Sequence, residues 1–217
     1  MPLFSIPSSK ISSAVSFRML AVTACAITAM TVMTSCDAVA QATTEGKLPE
    51  VELDTTAGKI IIELDAVKAP KTVANFLAYV KNGHYNGTIF HRVIPNFMIQ
   101  GGGLDGNMKE KKTKPPIVNE GGNGLVNKKY SVAMARTNDP NSATSQFFIN
   151  TKDNAFLNRS AGNPGYAVFG RIVKGLGVVD AISGTKTSSK ESGDIPGMRM
   201  QDVPVTAITI KTAKVIK

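Results

Sequence analysis

The sequence predicts a mainly β domain, closed into a barrel or paired as a sandwich, with two short helices. Eight short stretches rich in β-branched and aromatic residues run along the chain. Clusters of Gly, Pro, Asn and Asp separate them, and only two segments read as helices. At 217 residues the chain is long enough for one well-buried domain.

Residues 1–42 stand apart. No acidic residue precedes Asp37, and the only cations there are Lys10 and Arg18. Met19 to Met33 is an apolar run of signal-peptide length, too short for a comfortable membrane span. Small-residue cleavage patterns follow at Ala38-Val39-Ala40 and Ala40-Gln41-Ala42. Residues 1–42 are therefore expected to be a secretory signal peptide, 43–49 a polar linker and 50–217 the folded domain. Both cysteines, Cys25 and Cys36, lie in the first segment, so cleavage after Ala40 or Ala42 leaves no thiol chemistry. Val32-Met33-Thr34-Ser35-Cys36 loosely matches a lipobox, which leaves a lipid anchor at Cys36 as the alternative.

The elements of the domain read in order. Val51–Asp54 alternates and Lys59–Leu64 is β-branched, with Ala57-Gly58 between them as a hairpin turn. Pro70 opens a helix whose Val73, Phe76, Leu77 and Val80 share one face, and Gly83 stops it. Strands are expected at Thr88–Ile94, Phe97–Gly101, Ser131–Arg136, Gln146–Asn150, Tyr166–Val173 and Val205–Lys214, with a second helix over Leu176–Ser183. The stretches 102–130 and 184–204 read as long loops of the kind that often carry function. No amphipathic stripe is left over to demand a partner, so a monomer is expected.

Composition excludes several chemistries. The formal charge is +9, or +8 once Lys10, Arg18 and Asp37 are removed (23 basic against 15 acidic residues). The basic run Lys109-Glu110-Lys111-Lys112-Thr113-Lys114 has no interleaved aromatic, so it is read as a solvated loop and no nucleic-acid partner is expected. With only two histidines, His84 and His91, and no cysteine after cleavage, neither a metal site nor a cofactor is expected. Gly101-Gly102-Gly103-Leu104-Asp105-Gly106 matches the dinucleotide fingerprint, yet lysines and prolines follow where a helix must begin. Those glycines are expected to let the chain turn or approach a bound backbone closely.

What remains is Arg92, with Phe90, Val93, Ile94, Phe97 and Met98 within six residues. Alternation along Thr88–Ile94 puts Phe90, Arg92 and Ile94 on one face and Ile89, His91 and Val93 on the other. Taken alone, this is an ordinary arginine with its stem on an apolar surface.

The neighbouring segments change that reading. Phe90-His91-Arg92-Val93-Ile94-Pro95-Asn96-Phe97-Met98-Ile99-Gln100-Gly101-Gly102 resembles the signature segment of the cyclophilins. Ser131–Arg136, Ser145–Asn150, Asn154–Leu157 and Tyr166–Gly170 resemble the family's later blocks, in family order and spacing over roughly residues 50–216. The likeness is strongest to periplasmic cyclophilins of Gram-negative bacteria, which agrees with the signal peptide.

The resemblance implies a closed eight-stranded antiparallel barrel capped by two helices, with a substrate groove on its outside. It implies peptidyl-prolyl cis–trans isomerase activity on proline-containing polypeptides, with Arg92 catalytic. Phe97, Met98, Phe148 and Leu157 would line the proline pocket. Gln100, Ala135, Arg136 and Gln146 would flank it, Arg136 through its backbone. Phe156 and Tyr166 stand where many members carry Trp and His. A phenyl ring cannot donate a hydrogen bond, so weak cyclosporin binding is expected. Phe90, Phe147 and Phe169 are assigned to the barrel core; alternation sends Phe147 and Phe148 to opposite faces. The competing reading is a cyclophilin-fold chaperone that holds peptides with little turnover.

Overall fold

The computed structural model describes residues 48–217. The expected signal peptide, the lipobox at Cys36 and most of the linker lie outside the described residues.

The fold starts with the hairpin β1 (Glu50–Thr55) and β2 (Gly58–Leu64), paired Val51 to Ile62 and Leu53 to Ile60. Thr55 organises the turn: its Oγ1 donates to Gly58 O (2.6 Å) and accepts from Ala57 N (3.1 Å). Val51, Leu53, Ile60, Ile62 and Leu64 are all fully buried, as alternation requires of strands with one face on a core.

Helix α1 (Pro70–Lys81) has Pro in its first turn, and Val73, Phe76, Tyr79 and Val80 enter the core. No local side chain caps it. The Glu120 carboxylate does so from a distant loop, accepting from Lys71 N (3.2 Å), Thr72 N (2.8 Å) and the Thr72 hydroxyl (2.6 Å). Gly83, at φ 67°, ends the helix as its position predicts.

The remaining strands are β3 (Thr88–Ile94), β4 (Met98–Asp105), β5 (Ser131–Met134), β6 (Phe147–Asn150) and β7 (Val168–Lys174). Helix α2 (Leu176–Ser183) follows, then β8 (Thr187–Glu191), β9 (Arg199–Pro204) and β10 (Ile210–Val215). Eight strands form one antiparallel sheet in the order β10-β1-β2-β7-β5-β6-β4-β3. Its two edges meet where Gly87 N donates to Ile210 O (2.8 Å) and Phe90 N to Ile208 O (2.9 Å), which nearly closes a barrel. Phe76, Tyr85, Phe147 and Phe169 pack at its centre with ring centroids 5.1–5.6 Å apart. Each such ring contributes roughly 1.5–3 kcal/mol by burial. Val179 and Ile182 of α2 join the same core.

Several local readings are corrected. The stretch 184–204 is not a plain loop, because β8 and β9 pair there as a separate two-stranded ribbon. The glycines 101–103 do not turn the chain; they lie inside β4, where the pairing to β3 is bulged. Gly102 sits at φ 86°, and a Cβ on it would fall 2.8 Å from the Tyr85 ring. The basic loop is not wholly solvated either. Lys111 Nζ donates to the carbonyls of His84 and Asn86, and Lys114 N to the Tyr79 hydroxyl (2.7 Å).

Candidate active site

Strict alternation would carry Arg92 to the face of Phe90, and the structure does not. Phe90 pairs with Gly101 and Arg92 with the adjacent Gln100, so His91 is one residue too many on β3. The bulge resets the pleat: Phe90 and Val93 both point into the barrel core, whereas Ile94 belongs to an apolar cluster distinct from that core. Arg92 itself is exposed. Pro95 and Asn96 then turn the chain into β4. Pro fixes one central position, and Asn tolerates the φ of 56° at the next.

That second cluster is the floor of the site. Met98, Ala133, Phe148, Leu157 and Val168 are buried in it, with Ile94, Phe97, Ala135 and Tyr166 packed against them. Phe147 and Phe148 do split between barrel core and site floor. A pocket of about 110 Å³ is lined by Arg92, Phe97, Met98, Gln100, Ala135, Arg136, Phe148, Leu157 and Tyr166. At about 30 Å³ per water molecule, it would hold roughly four waters or one small ring.

A buried amide network supports this pocket from behind. Asn154 Nδ2 donates to Phe97 O (2.8 Å) and Asn150 Oδ1 (2.7 Å). Asn150 Nδ2 donates in turn to Asn127 Oδ1 (3.1 Å) and Ser131 Oγ (2.9 Å). The network ties the Phe97 backbone to the 3₁₀ turn Ala155–Leu157, which turns Leu157 inward and leaves Phe156 exposed.

Two of the expected residues stand beside the pocket. Phe156 stacks on Phe97 with centroids 5.6 Å apart, as an outer lip. Gln146 accepts from Gln100 Nε2 (2.9 Å) and lines the two adjoining hollows. The Arg136 side chain has its own place, stacked 4.3 Å over the Tyr166 ring with Nη1 donating to Thr137 O (2.8 Å).

Electrostatically the pocket has two arginines beside apolar walls, Arg136 held against Tyr166 and Thr137 and Arg92 more loosely engaged. Arg92 Nε lies 4.0 Å from an Asp202 carboxylate oxygen, a loose and half-exposed pairing that leaves the guanidinium largely free. His91 is 3% exposed, and its Nδ1 has no hydrogen-bond partner among the described residues. Burial pushes its pKa down to about 4 against the opposing pull of the nearby Ile89 backbone, and the Arg92 charge adds a smaller downward push. The imidazole is therefore neutral near pH 7. Asp202, Met198, Met200 and Gln201 stand near Arg92 on the ribbon side, and sequence reasoning missed them. The alternation Met198-Arg199-Met200 was a faint strand signal, masked by the Ser, Gly, Asp and Pro around it.

A larger hollow, about 520 Å³, lies elsewhere against β2 and β7, with Glu63, Asp65, Lys68, Lys128 and Arg171 in its walls. It holds none of the residues singled out from the sequence. Side chains of both charges share its walls with Leu48, Leu125, Val126 and Val168, and the smaller pocket, which gathers the expected site residues, is the better candidate.

Comparison with known proteins bears on this geometry. A family model described as Cyclophilin type peptidyl-prolyl cis-trans isomerase/CLD matches residues 50–215. A peptidyl-prolyl cis-trans isomerase of Streptomyces antibioticus is 59% identical over 169 residues, covering 76% of this chain and 98% of the relative. Peptidyl-prolyl cis-trans isomerase B of Escherichia coli is 50% identical over 163 residues, covering 74% and 98%. A crystal structure of a cyclophilin type isomerase from Cryptosporidium parvum, in the presence of the dipeptide Ala-Pro, matches with a TM-score of 0.59 at 26% identity. That match covers 77% of this chain and 99% of the other.

Proposed function

The chain belongs to the cyclophilin-type peptidyl-prolyl cis–trans isomerases, and on that premise we propose that Arg92 and the apolar pocket beside it form the catalytic centre. The reaction breaks no covalent bond. It rotates an X–Pro amide through a barrier of roughly 18–20 kcal/mol, which takes tens to hundreds of seconds unaided. Twisting removes the amide resonance, shrinks the bond dipole and returns a lone pair to the prolyl nitrogen.

A small pocket floored by Met98, Phe148 and Leu157 favours the less polar, twisted form. The Arg92 guanidinium gains most when the lone pair appears, so it binds the transition state more tightly than either ground state. A fall of about 7–8 kcal/mol in the barrier corresponds to roughly 10⁵–10⁶-fold. Arginine suits the role because it stays charged and presents a fixed planar set of donors.

The observation that carries this reading is that one pocket has both the apolar floor and the guanidinium on its walls. The relative solved in the presence of Ala-Pro supports it. A proline-limited refolding assay tests it. Wild type is expected to accelerate the slow phase strongly, and Phe148→Ala and Arg92→Ala each to lose most of that effect. Equal acceleration by all three would contradict the assignment of Arg92 and the pocket, and no acceleration by wild type would leave only a peptide-holding role.

The substrates we assign are proline-containing segments of exported proteins. The signal-like residues 1–42 support that, as the cell envelope is where such a chain would work. Among the described residues no helix is long and apolar enough to cross a membrane. Intact mass of the exported protein tests the assignment. Loss of the first 40 or 42 residues is expected; a chain beginning at a lipidated Cys36 would replace free export by a lipid anchor, and an uncleaved chain would overturn the assignment.

A further inference from the structure

On the ribbon side of Arg92 the surface opens into a second hollow of about 300 Å³, larger than the pocket itself. The two share Arg92 and Gln100 as a common wall. Leu104, Met198 and Met200 supply the apolar part of the lining, and Met198 is half exposed. Buried, neutral His91 completes the lining beside Arg92.

The wall is held in place. Val203 packs with Ile89, Leu104 and Met108 beneath the ribbon, and Met200 rests on that cluster. Glu110 N donates to the Asp194 carboxylate (2.6 Å) and Gly193 N to Met108 O (3.0 Å), which fastens the ribbon at its tip.

The polar rim suits a peptide backbone. With Gln100 Nε2 given to Gln146 Oε1, the Gln100 carbonyl and the Gln146 amide face a choice of further partners, and an amide chain offers both kinds. Gly103 makes room for this arrangement, because a Cβ there would fall 2.6 Å from Gln146 Cδ. Methionines form an adaptable apolar surface that accepts differently shaped side chains.

We infer that this hollow is a second substrate subsite, taking a leucine, methionine or phenylalanine side chain of the same polypeptide within a few residues of the proline. The inference rests on the assignment of the Arg92 pocket to the proline, with which the hollow is continuous. It makes the enzyme selective for prolines flanked by apolar sequence, the segments an unfolded chain exposes.

The test uses two substrate sets: an Ala-Pro tetrapeptide, and nine-residue peptides with one central proline in a Gly/Ser background, a single leucine walked through the flanking positions. At one position leucine is expected to raise kcat/KM, relative to the tetrapeptide, by about tenfold. That is the factor for a one-sided groove covering roughly half a leucine side chain. In Met198→Ser/Met200→Ser the ratio is expected to return to that of the all-Gly/Ser peptide. Met198→Ser alone, at a half-exposed position, is expected to lower it by about threefold and serves if the double variant does not fold. No leucine preference at any position, or a ratio unchanged in the variants, overturns the subsite. A wild type that fails on the tetrapeptide as well contradicts the proline pocket, and the subsite falls with it.

Discussion

Replacing Asn154 by alanine should loosen the proline pocket without touching any residue that lines it. Asn154 is 2% exposed, and its amide makes two bonds, to Phe97 O at 2.8 Å and to Asn150 Oδ1 at 2.7 Å. Phe97 O keeps a partner, since Thr151 N also donates to it at 3.0 Å. Asn150 is fully buried, so its Oδ1 is left without that donor and away from water. An unsatisfied buried acceptor costs about 1–3 kcal/mol, and the bond lost at Phe97 adds about 0.5–1.5 kcal/mol. The expected loss is therefore about 2–4 kcal/mol, or a fall in Tm of roughly 5–12 °C for a domain of this size. Thermal and urea unfolding measure it, and peptide isomerisation on the folded variant should show a raised KM, because Phe97 loses a backbone tether. A Tm within about 1 °C of wild type would refute the reasoning that this network holds the pocket.

Three further outcomes are expected. Gly102→Ala places a Cβ at φ 86° within 2.9 Å of both the Tyr85 and Phe147 rings, and should cost about 2–4 kcal/mol by urea denaturation. Gly106→Ala, with open space around it, should change stability by under about 0.5 kcal/mol, and equal effects would contradict the packing. The His91 pKa of about 4 lies below its ordinary 6.5, so the unfolded chain takes the proton first. That stability is complete above about pH 6.5 and is lost as the pH falls towards 4, by roughly 3 kcal/mol in all. His91→Asn should flatten the fall between about pH 7 and pH 5; the lowered His84 pKa leaves a slope of the same sign in both proteins. Asp202→Asn removes a half-exposed partner of Arg92 and should lower kcat by about two- to fivefold, less so near 1 M salt. An unchanged or higher kcat would show that Asp202 does not orient the guanidinium.

Much of this was legible in the chain because the period of apolar residues reports directly on one element at a time. The β1–β2 hairpin, the start of α1 at Pro70 and the bounds of α2 at Leu176–Ser183 follow from such local signals. So does the split of Phe147 from Phe148. The bulge at His91 was not legible, because it depends on how β4 pairs with β3, and a single extra residue reverses every face assigned by alternation. The ribbon was missed because its strands are short and polar, and Val203 finds its apolar partners far away in β3 and β4. The asparagine network was invisible for a related reason: Asn127 falls in an expected loop, Asn150 at the end of an expected strand and Asn154 beyond it, and only the fold brings them together.

The central claim is that the Arg92 guanidinium lowers the rotation barrier, and the kcat of Arg92 variants on an Ala-Pro peptide tests it most directly. Arg92→Ala is expected to lower kcat by about 100-fold, the low end for one transition-state donor, because the side chain is half exposed. KM should change by under about threefold, since the pocket floor is intact. Arg92→Lys keeps the charge and loses the planar fork, and should fall between the two. A kcat for Arg92→Ala within about twofold of wild type, or a loss carried wholly by KM, would contradict the account.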